Sequence, residues 1–326
     1  MSASNQQARD TRLERALRET RVPGLILAVA QPGKPPLARA YGLQDDKPIA
    51  PALPAMLCSL CKPLTAQAFL VLVQEGKLRL SDPAAQWLPC DPRITLLHLL
   101  THRSGLPAKF PEGLRAPTEA ERVKQTLTEP LLFAPGTSFL YSNVGYQALG
   151  RILESVTGQR PDRFIQTRLL DPLGIKSYFV ATYLSPAEQK RYDSGMSPLL
   201  TPQHFDKETG AYTPVRDRFA SLAREAVGSA DTCGAGCMSA PDFLKFMLSV
   251  TPAQRQLIRR NAQESYGPGW MLRDGGLAHT GTGSGETHYA LTRESGMSYV
   301  CFIPSSNDDA CEKLLSAVQS AVKYGV

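Results

Sequence analysis

Apolar positions change rhythm three times along the chain. Leu13 and Leu17 stand at helical spacing in a polar stretch that stops at "VPG", which predicts a helix over 8–21. "LILAVA" (25–30) and "LARAYG" (37–42) flank "QPGKPP" and read as two strands of a hairpin around a Pro-Gly turn. Residues 64–75 are apolar nearly all round, the pattern of a helix buried on every side, and Pro63 stands early enough to be tolerated there. Helical patterns with Pro or Gly punctuation then dominate, at 94–102, 118–127, 144–158, 161–174 and 240–250. Residues 184–227 are rich in charge and Pro and give no clear pattern. From 267 to 305 the rhythm shortens to alternating strands between Gly-rich turns, a meander, and 308–324 closes as an amphipathic helix.

Strands therefore open and close the sequence, with helices between. The economical architecture is α/β (α+β): an antiparallel sheet flanked by helices, with an all-helical domain inserted. The expected division is 1–58 with 225–326 for the sheet domain and 59–224 for the helical one, with a site at their junction. The 326 residues are enough for a large core, and 42% apolar with 20% charged residues is the balance of a globular protein. A net charge of +6 with no block of five basic residues argues against a nucleic-acid partner. No secretory h-region and no membrane-length apolar run stand in the sequence, so a cytoplasmic location with no membrane partner is expected. The seven cysteines, odd in number, are then expected as free thiols.

"LCSLCKPLT" (57–65) carries two overlapping motifs, C-x-x-C and S-x-x-K. S-x-x-K alone is weak, since Ser320 and Lys323 repeat it on the face of the last helix. Ser59 differs because it starts a buried helix, where free N–H groups and the helix dipole meet its hydroxyl. Lys62, one turn on, lies beside apolar surface, and desolvation favours the neutral amine that can act as base. Tyr141-Ser142-Asn143 is the one Y-x-N among eleven tyrosines and precedes a helix. A cationic lysine nearby would make Tyr141 a better base. Asn143 can hold a substrate carbonyl, orient Lys62, or simply cap the next helix. His279-Thr280-Gly281 lies in an expected strand, where Gly281 and Gly283 permit close backbone approach. The N–H groups of Thr282 and Ser59 can pair as an oxyanion hole, although taken alone this stretch reads as a Gly-rich hairpin.

Together the three motifs resemble the serine β-lactamase and penicillin-binding-protein superfamily, whose signature is S-x-x-K, then Y-x-N or S-x-N, then K-T-G. The likeness is to its class C β-lactamase-related branch of esterases, DD-peptidases, D-aminopeptidases and acyltransferases. "ITLLHLLTHRSGLP", "FAPGTSFLYSNVGYQALGRILESVTGQ" and "GSADTCGAGCMSAPDFLKFM" extend it beyond the motifs. The resemblance implies a β-lactamase/transpeptidase-like fold and no cofactor. It implies Ser59 as the acylated nucleophile and Lys62 with Tyr141 as the proton relay. Asn143, His279, Thr280, Gly281 and Thr282 would contact substrate, with Ser59 and Thr282 N–H groups as oxyanion hole. His279 stands where the signature has lysine. Histidine occurs there in some esterase and DD-peptidase relatives, and its mostly neutral ring puts efficient β-lactam hydrolysis in doubt.

Cys58, Cys61, Cys233 and Cys237 could in principle supply a zinc, but no zinc-ribbon turn follows and packing explains them better. His98 and His102 stand four apart on an expected helix without the glutamate of H-E-x-x-H, so they read as structural and no metal is expected. The expected function is a serine hydrolase acting through an acyl-serine on a small ester, amide or lactam. D-amino-acid peptidase, transacylase and non-catalytic ligand-binding readings stand as alternatives. Acyl group, acceptor and oligomeric state are not legible.

Overall fold

The structure is a computed structural model and describes residues 3–114, 116, 118–193, 199–215 and 232–324. Its centre is an antiparallel sheet of eight strands built from both ends of the chain. The strands are β1 (Gly24–Ala30), β2 (Leu37–Gln44) and β3 (Lys47–Pro48) from the start, and β9 (Tyr266–Gly267), β10 (Trp270–Arg273), β11 (Gly276–Gly283), β12 (Glu286–Arg293) and β13 (Ser298–Ile303) from the end. Their order is β3-β2-β1-β13-β12-β11-β10-β9, so β1 and β13 join the two ends, with Ile26 opposite Phe302 and Ala28 opposite Val300. β1 is buried along its whole length, which is why it reads as an unbroken apolar run.

Both faces of the sheet are covered. On one side, helices α1 (Ala3–Thr20) and α10 (Asp308–Tyr324) pack Leu13, Leu17, Leu314 and Val318 against Leu25, Leu27, Leu291 and Tyr299. On the other side, Phe243 and Phe246 of α8 (Ala240–Ser249) join the same core as Ile26, Ala28, Val300 and Phe302. That core continues into α2 (Cys61–Gln74) and α5 (Asn143–Thr157). A short sheet links the two parts: β8 (Gly236–Ser239) pairs with both β4 (Pro54–Met56) and β5 (Phe179–Val180).

Several elements differ from expectation. The helix expected over 94–102 is only α3 (Leu96–Leu100), capped by Thr95 and His98, and His102 beyond it has a left-handed backbone with φ 58°. His98 and His102 therefore do not share a helix face. The pattern over 161–174 is α6 (Pro161–Ile165), then a π-helical turn to Leu170 and a 3-10 turn to Leu173. Between them comes α4 (Glu119–Thr128), and after them, in the unclear stretch, come α7 (Pro186–Asp193), β6 (Gln203–Phe205) and β7 (Tyr212–Pro214). The expected domain boundary at 224/225 lies outside the described residues. Helix α9 (Pro252–Arg260) was not anticipated, although Thr251 and Gln254 form the capping box that announces it. Among the described residues no helix is long and apolar enough to cross a membrane.

Candidate active site

β4 delivers the chain into a 3-10 turn, Cys58–Leu60, which runs directly into α2. The turn is fixed from both sides: Leu57 N–H donates to Gly236 O at 2.7 Å and Leu60 N–H donates to Leu57 O at 3.0 Å. Cys58 holds φ 49°, a backbone that side-chain-bearing residues rarely adopt. Ser59 follows it. Lys62, in the first turn of α2, is fully buried, and its Nζ is hydrogen-bonded to Ser59 Oγ at 3.1 Å and to Cys233 O at 3.0 Å. The same Nζ lies 4.8 Å from the centroid of the Tyr141 ring.

Ser142, not Asn143, caps α5. Its Oγ accepts from Gly145 N–H at 3.0 Å and donates to Pro107 O at 2.7 Å. Asn143 is thus the first helical residue and its side chain is released from capping. Among the described residues the Tyr141 hydroxyl and Asn143 Oδ1 are buried without a hydrogen-bond partner.

His102 braces this loop. Its Nδ1 accepts from Ser142 N–H at 3.0 Å and its ring lies 4.2 Å from that of Tyr141, centroid to centroid. Burial, then the charge of Lys62, hold its protonation well below the ordinary histidine range.

On β11, consecutive side chains face opposite sides of the sheet. The His279 ring faces the aromatic layer and is fully buried. A carbonyl can only accept, so Nδ1 donates to Thr280 O at 2.7 Å, and Nε2 accepts from the Tyr266 hydroxyl at 3.0 Å. Burial first, and Lys62 second, lower its pKa to about 3. Burial raises Tyr266 well above the ordinary tyrosine value, which keeps its proton available for that bond. Thr280 instead lines a cavity of about 450 Å³ with Cys311 and Leu315. Of the expected pair, His279 is fully buried against Tyr141 and Tyr266, and Thr280 is half-buried beside that cavity. Gly281 touches the 57–60 segment directly: a Cβ there would run into Leu57 O and lie 3.4 Å from Cys58 Cβ. Thr282, next along the strand, is exposed.

Tyr266 and Tyr146 escaped the sequence reading because only tertiary packing brings them to His102, with ring centroids at 4.8 and 5.1 Å. All seven cysteines are free thiols, and among the described residues no group of three or more His, Cys, Asp or Glu is placed to hold a metal.

A serine on a fully buried lysine beneath a tyrosine, beside an antiparallel sheet flanked by helices, defines a protein of β-lactamase/transpeptidase-like fold. The chain belongs to the Beta-lactamase family of hydrolases, whose model matches residues 10–318. Esterase EstB of Burkholderia gladioli is 30% identical over 301 residues, 80% of this chain and 76% of that one. D-amino acid amidase from Ochrobactrum anthropi SV3 superposes with a TM-score of 0.79 at 20% identity, over 98% of this chain and 99% of the amidase. The β-lactamase/D-alanine carboxypeptidase from Yersinia pestis superposes with a TM-score of 0.75 at 19% identity, over 99% of each chain.

Two outcomes follow. Gly281→Ala should cost about 1–3 kcal/mol of stability, since neither Leu57 O nor the paired strand can retreat; urea unfolding measures it. The second concerns pH. His279 and His102 stay neutral in the fold, whereas in the unfolded chain they protonate around 6.5. Below that value the unfolded chain binds more protons, so stability falls with pH, and for His279 it goes on falling to about 3. The slope contributed by each is at most about 1.4 kcal/mol per pH unit. Urea midpoints between pH 7.5 and 5 should decline, and His279→Gln should flatten the decline; an unaltered slope would contradict a neutral His279.

Proposed function

We propose that the chain is a serine hydrolase that passes an acyl group from a small ester or amide through Ser59 to water. The observation that carries this reading is the 3.1 Å contact between Ser59 Oγ and the fully buried Lys62 amine. In its neutral form Lys62 takes the Ser59 proton as Oγ attacks the substrate carbonyl. The carbonyl oxygen becomes an oxyanion facing the N–H groups of Ser59 and Thr282. The proton passes to the leaving group by way of Lys62 and Tyr141. The same pair then activates water, which attacks the acyl-serine and restores Ser59. Asn143, with Oδ1 unengaged among the described residues, holds the acyl side chain or its amide.

The likeness to an esterase at 30% identity supports ester substrates. The neutral His279 supports uncharged acyl groups, because it supplies no cation to meet a substrate carboxylate.

Exposure to a fluorophosphonate should add one covalent adduct by intact mass, and Ser59→Ala should abolish it. Absence of an adduct on the native protein would favour a non-catalytic binding role. Lys62→Ala should lower turnover of a p-nitrophenyl ester by about 10²–10⁴-fold. Turnover of that ester should exceed that of nitrocefin, and the reverse order would sink the preference for uncharged acyl groups.

A further inference from the structure

Glu286 and His288 are polar residues of β12, 1% exposed each, and the acyl chemistry above does not use them. Cross-strand pairing explains their direction. Gly283 stands opposite Glu286 and Gly281 opposite His288, so at those two positions β11 presents no side chain. The two β12 side chains reach across to the segment that leads into Ser59. His288 Nε2 donates to Met56 O at 2.9 Å. The Cys58 thiol donates to Glu286 Oε1 at 2.9 Å, and Glu286 Oε2 lies 3.7 Å from His288 Nε2. What they grip is the left-handed Cys58, φ 49°, whose peptide link carries the Ser59 N–H. The other candidate oxyanion donor, Thr282 N–H, lies on the same β11–β12 hairpin as Glu286.

We propose that Glu286, seconded by His288, is a positioning residue that locks the turn before Ser59 to the β11–β12 hairpin. Its bond to the Cys58 thiol thereby sets the spacing of the Ser59 and Thr282 N–H groups. The proposal rests on Ser59 as nucleophile. Two donors on separate elements stabilise an oxyanion only at the right separation, and a shift near 1 Å changes rates by about 10²-fold.

The test compares Cys58→Ala with Cys58→Ser, and Glu286→Ala with Glu286→Gln. Fluorophosphonate labelling of the native protein at Ser59 comes first; without labelling, both the hydrolase reading and this one fall. The alanine variants should lower kcat for a p-nitrophenyl ester about 10–100-fold with KM within about threefold. They should weaken inhibition by phenylboronic acid, whose tetrahedral adduct needs the same N–H pair, by a similar factor. Cys58→Ser and Glu286→Gln, which keep the donor and the acceptor, should restore most of the loss. If Cys58 merely packs among Met56, Ala181 and Leu199, serine is no better than alanine there. That result, or alanine variants within twofold of the native kcat, overturns the clamp while leaving the hydrolase intact. Should Glu286→Ala fail to fold, the Cys58 pair decides, since neither change alters the buried volume much.

Discussion

The backbone of β11 lies against the carbonyl of Leu57 with no side chain between them, and Gly281 is where they touch. That contact joins the sheet to the turn that starts α2. β11 is held by β12 along its whole length and by β10 over residues 276–278. The start of α2 is held too, because eleven of its fourteen residues are buried. Gly269, φ 73°, makes a second approach of the same kind, where a Cβ would run into Ala66 and lie 3.1 Å from Lys62 O. Bulk at either glycine would part the sheet from the helix that carries Lys62. The site is a seam whose width is set by two missing side chains.

Inside that seam burial and one lysine act together on the protonation of two histidines. Lys62 is fully buried, and both His102 and His279 feel its charge after the larger effect of their own burial. In a low-dielectric interior, adding a second or third cation a few ångströms away is strongly unfavourable. The two imidazoles therefore stay neutral and act as hydrogen-bond acceptors, His102 toward Ser142 N–H and His279 toward the Tyr266 hydroxyl. Neutral histidines here follow first from burial, and the charge of the lysine acts in the same direction.

The meeting of Ser59, Lys62 and Tyr141 was legible in the sequence because their motifs stood beside recognisable helix starts. The hairpin at 25–42 and the meander after 267 were legible because alternation and Gly-rich turns are local signals. What escaped depends on register and on unusual backbone. The left-handed turn at His102 ended a helix that periodicity carried on to residue 102. The π-helical turn over Gln166–Leu170 broke another. For His279 and Thr280 a motif names residue types, whereas the pleat alternates their directions. Glu286 and His288 gave no signal at all: nothing local shows that two polar residues near a turn are drawn inward where Gly281 and Gly283 stand opposite them. The capping box at Thr251 was a missed local cue and needed no tertiary knowledge.

Tyr266 shows how such parts act together. It lies on an edge strand, yet its ring sits 4.8 Å from His102 and 6.4 Å from Tyr141, and its hydroxyl bonds His279. Because His279 Nδ1 is tied to Thr280 O, the ring cannot turn, and Nε2 offers Tyr266 a fixed acceptor. Tyr266 in turn walls His102 against the loop that carries Tyr141 and Asn143. A lysine at 279 would be a flexible cation and could give no planar acceptor to a tyrosine. Replacing lysine by histidine therefore does more than remove a charge. It converts the end of β11 into a rigid support for the opposite wall, so that Lys62 meets Tyr141 in a frame already fixed before any substrate enters.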